Sequence, residues 1–217
     1  MSSLIFYTDS NQALIATDTL ATSGKISGAP FNFTTKAFII PHLRMIVAGT
    51  GGGGFCDRWF LQINSGMIVR GIDNLDYHAS RNLALLWSSY KKEFSIGDDL
   101  TTSIFHFGFS EEDQLIHSYM YNSTNNFESK TIPYGLSGKP EFKSPKPFKL
   151  PEDFKFMMDS QREMQMAESR ENRVYIGGEI QLIRLDKNGF IVHSLGKFED
   201  FASDEASIFQ NYNNSSQ

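Results

Sequence analysis

Cysteine is almost missing. The 217-residue chain has one, Cys56, so no intramolecular disulfide can staple it, and a reducing compartment, the cytoplasm, is expected. Long apolar runs are missing too: none approaches the ~18 residues a membrane helix needs. The first residues lack the basic stretch and apolar core of a secretory signal. No excess of positive charge exists, since 20 Lys and Arg stand against 25 Asp and Glu for a net charge of -5. Neither nucleic acid nor a membrane surface is therefore an expected partner. No G-K-[ST] tripeptide occurs, which excludes a P-loop. His42, His78, His106, His117 and His193 form no i, i+4 pair, and Cys56 has no cysteine partner, so neither a metal nor another cofactor is expected. His106 and His117 are spaced to face each other across a hairpin.

What the chain has is ordinary globular composition, 40% hydrophobic and 21% charged, with 19 Phe residues that suit a packed aromatic core. The length fits one domain. Alternating and β-rich runs predict strands at 4–8, 13–17, 37–40, 44–48, 102–109, 114–121, 130–134, 179–185 and 190–195. Helical spacing predicts helices at 55–64, 75–94 and 152–170. In the second, Ala79, Leu83, Leu86, Trp87, Tyr90 and Phe94 share a face, and Asp73 or Asn74 is placed to cap the first turn. Residues 19–33 read as irregular, and 139–151, with four prolines, cannot be a helix interior. The order strands, helices, strands, helix, strands predicts an α+β fold: one antiparallel sandwich with helices outside both sheets, four layers in all. Residues 1–198 are expected to form this single domain, and 199–217 a partly disordered tail.

Four places carry candidate chemistry. They are Ser2 with Ser3, Asp18 ending the second strand, Lys36 before the third, and Gly49 ending the fourth. The stretches SSLIFYT from Ser2, ALIATD ending at Asp18, TKAF around Lys36 and IVAGTG around Gly49 resemble the opening of proteasome β subunits and the bacterial heat-shock-locus V peptidase. Asp18 lies 16 positions after Ser2, as in that family. LSGKP, containing Ser137, resembles the family's Gly-Ser-Gly-x-Pro stretch. GGEIQLI from Gly177, followed by DKNG, resembles its final hairpin.

The resemblance implies a four-layer αββα N-terminal-nucleophile (Ntn) hydrolase: a peptidase with Ser2 as nucleophile once Met1 is removed. The freed α-amine, with an ordinary pKa of about 8, would take the hydroxyl proton. Lys36 would keep that amine neutral, Asp18 would hold Lys36, the Gly49 N–H would meet the oxyanion, and Ser137 would sit beside the amine. It further implies a homo-oligomeric ring, peptide or unfolded-protein substrates, and an ATP-dependent unfoldase as the kind of partner. Strand alternation sends Ser3 to the face opposite Ser2, away from the chemistry.

This sequence departs from the pattern in three ways. Ser replaces the usual Thr, Arg173 to Ile176 stand where the family has an Asp and a Ser, and the prolines of 139–151 replace a helix. A catalytically inactive ring scaffold is therefore a second reading. A third is local: Gly49 to Gly54 fits G-x-G-x-x-G between a strand and a helix, with 67–72 as the next strand and Asp73 as a ribose-binding acid.

Overall fold

The computed structural model describes residues 3–23 and 28–215. In chain order the strands before the first helix are β1 (Leu4–Thr8), β2 (Gln12–Asp18), β3 (Leu20–Thr22), β4 (Pro30–Phe33), β5 (Ala37–Ile40) and β6 (Met45–Gly51). Helices α1 (Phe55–Gly66) and α2 (Ile72–Glu93) follow, then β7 (Thr102–Phe109), β8 (Ile116–Asn122), β9 (Lys130–Thr131) and β10 (Gly135–Lys139). The chain continues through α3 (Phe154–Met166), the hairpin β11 (Glu179–Asp186) and β12 (Gly189–Lys197), and α4 (Phe201–Ser215). The fold is α+β.

Among the described residues three antiparallel sheets form. One has the order β10-β1-β2-β11-β12, a second the order β5-β6-β7-β8-β9, and β3 pairs with β4 in a short ribbon. Strands β2 and β7 are buried along nearly their whole length, because apolar side chains meet them on both faces. That is why ALIATD and TSIFHFGF read as continuous runs rather than as strict alternation. Between the two large sheets lie Leu4, Phe6 and Ile15 from one and Ile46, Phe105 and Phe107 from the other. The Phe6 ring centroid is 4.8 Å from that of Phe107.

The outer face of the β5–β9 sheet carries α1 and α2, through Trp59, Leu75, Ala79, Leu83, Trp87 and Tyr90. The outer face of the other sheet carries α3, through Phe154, Met157 and Met158 against Ile5, Leu14 and Leu182. At about 1.5–3 kcal/mol for each large apolar side chain fully buried, these three interfaces are the main source of stability.

Several expectations are corrected. The stretch 19–33 is not irregular throughout, since β3 and β4 pair across it. Within the expected tail, Phe201–Ser215 forms α4, which packs on β4 with the Phe201 ring stacked on Phe33 at 4.8 Å. The α2 cap is neither Asp73 nor Asn74. Their own N–H groups donate to the Glu111 carboxylate at 3.1 and 2.7 Å, so the capping charge comes from the β7–β8 turn. Phe94 is largely exposed at the end of its helix. His106 pairs across the hairpin with Tyr119 rather than His117. It accepts a hydrogen bond from the buried indole of Trp59 at 2.8 Å, and burial pushes its pKa down to about 3.

The dinucleotide reading fails on topology. Strand β6 is antiparallel to both β5 and β7, so the strand–glycine–helix passage is not a βαβ unit. Residues 67–71 join α1 to α2 without a strand. Asp73 lies in the first turn of α2, bonded to His117 and Tyr119 at 2.7 Å each.

Candidate active site

Asp18 ends β2 and is completely buried. An ionised carboxylate out of water must be solvated by the protein, and this one is. Lys36 Nζ donates to its Oδ1 at 2.8 Å, and the Ser3 N–H donates to the same oxygen at 2.9 Å. The Gly177 N–H donates to Oδ2 at 3.2 Å. Lys36, itself buried and lying just before β5, also donates to the Leu20 carbonyl at 2.6 Å. Burial lowers the Lys36 pKa, and the charge and hydrogen bond of Asp18 oppose that shift without cancelling it. The ammonium is thus compact, dry and fixed by two acceptors.

Beside this pair lies a cleft of about 130 Å³, lined by Lys36, Thr22, Thr35, the glycines from Gly49 to Gly54, Cys56 and Asp57 among others. Glycine is required at Gly49 because a Cβ there would lie 2.6 Å from that of Cys56 at the start of α1. Main chain at the glycines 49 and 51–54 forms part of the cleft wall, beside the side chains of Lys36, the threonines and Asp57.

The structure brings Asp18, Lys36 and Gly49 together. The Gly49 N–H, however, donates to the Lys36 carbonyl at 3.2 Å, so it is not a free oxyanion donor. Ser137 is not part of the cluster. The β1–β10 register sets it opposite Phe6, where it is exposed, while Lys139 pairs with Leu4 nearest the N-terminal end of β1. Ser2 lies outside the described residues.

Two partners of the site escaped the sequence reading. Ser3 does turn to the face opposite the inter-sheet side, as alternation predicts, but there it is fully buried and its hydroxyl donates to Gln161 Oε1 on α3. Gln161 sits on α3 at the i+7 position from Phe154, in line with Met157 and Met158. A glutamine on an apolar helical stripe was the available signal. Gly177 was noted only as part of a hairpin motif, and nothing in the sequence tied its N–H to Asp18.

No protein-family model matches the sequence, and no curated protein is significantly similar to it. Solved structures do match. Anbu (ancestral beta-subunit) from Yersinia bercovieri aligns with a TM-score of 0.61 at 13% identity, over 99% of this chain and 94% of that one. A Gly-1 mutant of Anbu from Hyphomicrobium sp. strain MC1 aligns with a TM-score of 0.61 at 14% identity, over 100% of both chains. Another Anbu structure from the same strain gives 0.56 at 14%, over 100% of this chain and 96% of that one. The resemblance to proteasome β subunits and the heat-shock-locus V peptidase is corrected accordingly, because short motifs in chain order had suggested the wrong branch of structural neighbours. At these identities the likeness is one of architecture: the chain has the Anbu fold.

Proposed function

We propose that this protein is an Ntn amide hydrolase on the Anbu fold, with Ser2 as nucleophile after removal of Met1. The observation that carries the reading is the buried Asp18–Lys36 pair, held on the same carboxylate oxygen as the amide joining Ser2 to Ser3. A buried ion pair adds little net stability compared with apolar residues of similar volume. Its placement beside the N-terminus therefore suits chemistry better than packing. A desolvated ammonium raises the local potential. It favours the neutral form of a neighbouring α-amine, which then serves as base for the serine hydroxyl, and it stabilises the developing alkoxide.

Oxyanion contacts are assigned to the N–H groups of Gly49 and the glycines after it, with that of Gly49 shared with the Lys36 carbonyl. Ser137 has no role in this arrangement. The succession helices, sheet, sheet, helix is read as the four-layer Ntn sandwich, with residues 1–198 as the hydrolase domain and α4 appended to it. Substrates would be peptides or unfolded chains, hydrolysed in the cytoplasm inside a homo-oligomeric ring fed by an ATP-dependent unfoldase. Large exposed apolar side chains such as Ile68, Tyr77, Leu85, Phe209 and Tyr212 are consistent with subunit contacts.

Intact-mass analysis with a β-lactone or epoxyketone tests the reading. The native chain should lack one methionine and gain one inhibitor, and Ser2→Ala should gain none. Retention of Met1, or equal labelling of wild type and Ser2→Ala, overturns it. The engaged Gly49 N–H favours a second reading, an inactive ring scaffold, whose signature is an assembled but unlabelled chain.

A further inference from the structure

Gln161 is the polar group that the site as described leaves unexplained. It is completely buried on α3 among Phe154, Met157 and Met158, where a leucine would fill the space without polar atoms to satisfy. Burying a glutamine costs desolvation and the freezing of a flexible side chain, and both costs are offset only if both ends of the amide are used. Both are. Oε1 accepts from the Ser3 hydroxyl, and Nε2 donates to the Pro140 carbonyl at 2.5 Å, just past the end of β10.

The amide therefore ties three segments at one point: the lead-in to β1, the exit of the neighbouring edge strand, and α3. Ser3 is gripped twice, through its backbone N–H by Asp18 and through its hydroxyl by Gln161. Chain ends ordinarily fray within a residue or two of the last ladder bond. Here the last ladder positions are those of Leu4, paired with Thr17 and Lys139, and the two grips on Ser3 extend order one residue beyond them.

We propose that Gln161 is a positioning residue for the N-terminal nucleophile. By clamping Ser3 it fixes the residue to which the nucleophile is joined, and through that peptide bond acts on the reach of the nucleophile toward Lys36. The proposal rests on the hydrolase reading for its chemical consequence, but the clamp itself is a separate physical claim. Gln161 does not contact substrate or reacting atoms; it acts through Ser3. Its effect on rate follows from the sensitivity of nucleophilic attack to placement, where an error of about 1 Å costs up to roughly a hundredfold.

The test measures two things on the full-length chain: the rate and affinity of β-lactone labelling, and hydrogen exchange of the amides of residues 3–5 by mass spectrometry. Gln161→Leu and Ser3→Ala should each slow the labelling step by roughly tenfold or more while inhibitor affinity holds within about a factor of three. Both should speed exchange at residues 3–5 relative to the β6 and β7 amides. The double variant should be no slower than the worse single one, because both remove the same contact. Gln161→Glu keeps an acceptor for Ser3 and loses the donor to Pro140. It should retain part of the rate and add an ionisation to the pH profile that wild type lacks, which a merely structural role would not do. Exposed Glu163 on the same helix supplies the control, and Glu163→Ala should match wild type.

If Gln161→Leu, folded by circular dichroism, labels and exchanges like wild type, the proposal is overturned. Should Gln161→Leu fail to fold, Ser3→Ala decides alone, since deleting one hydroxyl leaves the backbone grip intact. If wild type does not label at all, the hydrolase reading fails and positioning for catalysis falls with it. Exchange at residues 3–5 then still upholds or overturns the clamp.

Discussion

Lys36→Met separates the buried ion pair from ordinary packing, because methionine matches the stem of lysine and removes the charge with its hydrogen bonds to Asp18 and the Leu20 carbonyl. Asp18 would then be a completely buried carboxylate without its cation. Removing one partner of a buried pair typically costs about 3–5 kcal/mol. The N–H bonds from Ser3 at 2.9 Å and Gly177 at 3.2 Å persist, so the lower end applies, about 3 kcal/mol. For a chain of this size that lowers Tm by about 6–12 °C. Adding Asp18→Asn removes the stranded charge but keeps an acceptor oxygen, so the double variant should recover more than about 1 kcal/mol. Urea unfolding followed by circular dichroism measures both.

The pH dependence gives an independent arm. Burial lowers the folded-state pKa of Lys36 below the ordinary lysine value. Between that lowered value and about 10.4 the unfolded chain binds more protons, so this group makes stability rise with pH in that window. The difference in stability between wild type and Lys36→Met isolates the effect from the other lysines and should widen in favour of wild type as pH climbs toward 10. A loss under about 1 kcal/mol with no pH-dependent difference would refute the buried-pair reasoning and, with it, the electrostatic basis of the proposed chemistry.

Gly49→Ala should destabilise by about 1–3 kcal/mol through overpacking, because its Cβ would meet that of Cys56 at 2.6 Å. Cys56→Gly in the same chain should cost less than the sum of the two single changes, read from denaturant midpoints. The Cys56 thiol is buried and its pKa is pushed far up by desolvation and then by Asp57, so a maleimide should leave it unmodified in the native protein and label it fully in denaturant. Partial burial alone would lower the pKa of His117, but hydrogen bonds and charge from Asp73, 2.7 Å away, and Asp113, 3.3 Å away, raise it. The stability it contributes is fully present below about pH 6.5 and is lost as pH rises through its raised folded value. Wild type should therefore lose stability relative to His117→Gln between pH 6 and 8, and an unchanged difference counts against the contact.

Strand and helix positions were legible where apolar pattern alone decides them. Residues 4–8, 37–40 and 102–109 match β1, β5 and β7, and the shared face of Ala79, Leu83, Trp87 and Tyr90 is the face α2 buries. The pair Asp18 and Lys36 was legible because two motifs placed both residues at strand boundaries. What failed depends on partners distant in sequence. The Glu111 cap of α2 comes from 38 positions away, the order of α4 depends on a ring contact with Phe33, and the burial of Ser3 depends on Gln161, 158 positions on. No local pattern carries such pairings. Strand alternation did place Ser3: its side chain goes to the α3 side with Ile5, opposite the inter-sheet face of Leu4 and Phe6, and only its partner there was missed.

The departures from the motif pattern then have a physical order. Near the site the pattern is matched by the Asp18 and Lys36 side chains and by one backbone passage. Gly177 and Gly178 let the lead-in to β11 pass close to the β2–β3 corner: a Cβ on Gly178 would lie 2.4 Å from Thr19 Oγ1, and its φ of 79° is left-handed. That close passage delivers the Gly177 N–H to Asp18 and lets the Glu179 N–H reach Thr19 Oγ1 at 2.8 Å. The stretch before the glycines runs under α3. Arg173 there turns outward to the carbonyls of Met166 and Glu168, while Val174 and Ile176 pack under α3. Polar support for the N-terminal segment then has to come from another element, and α3 supplies it through Gln161. A chain that lost the glycines would lose the Gly177 N–H bond to Asp18 Oδ2 and keep only the two donors on Oδ1.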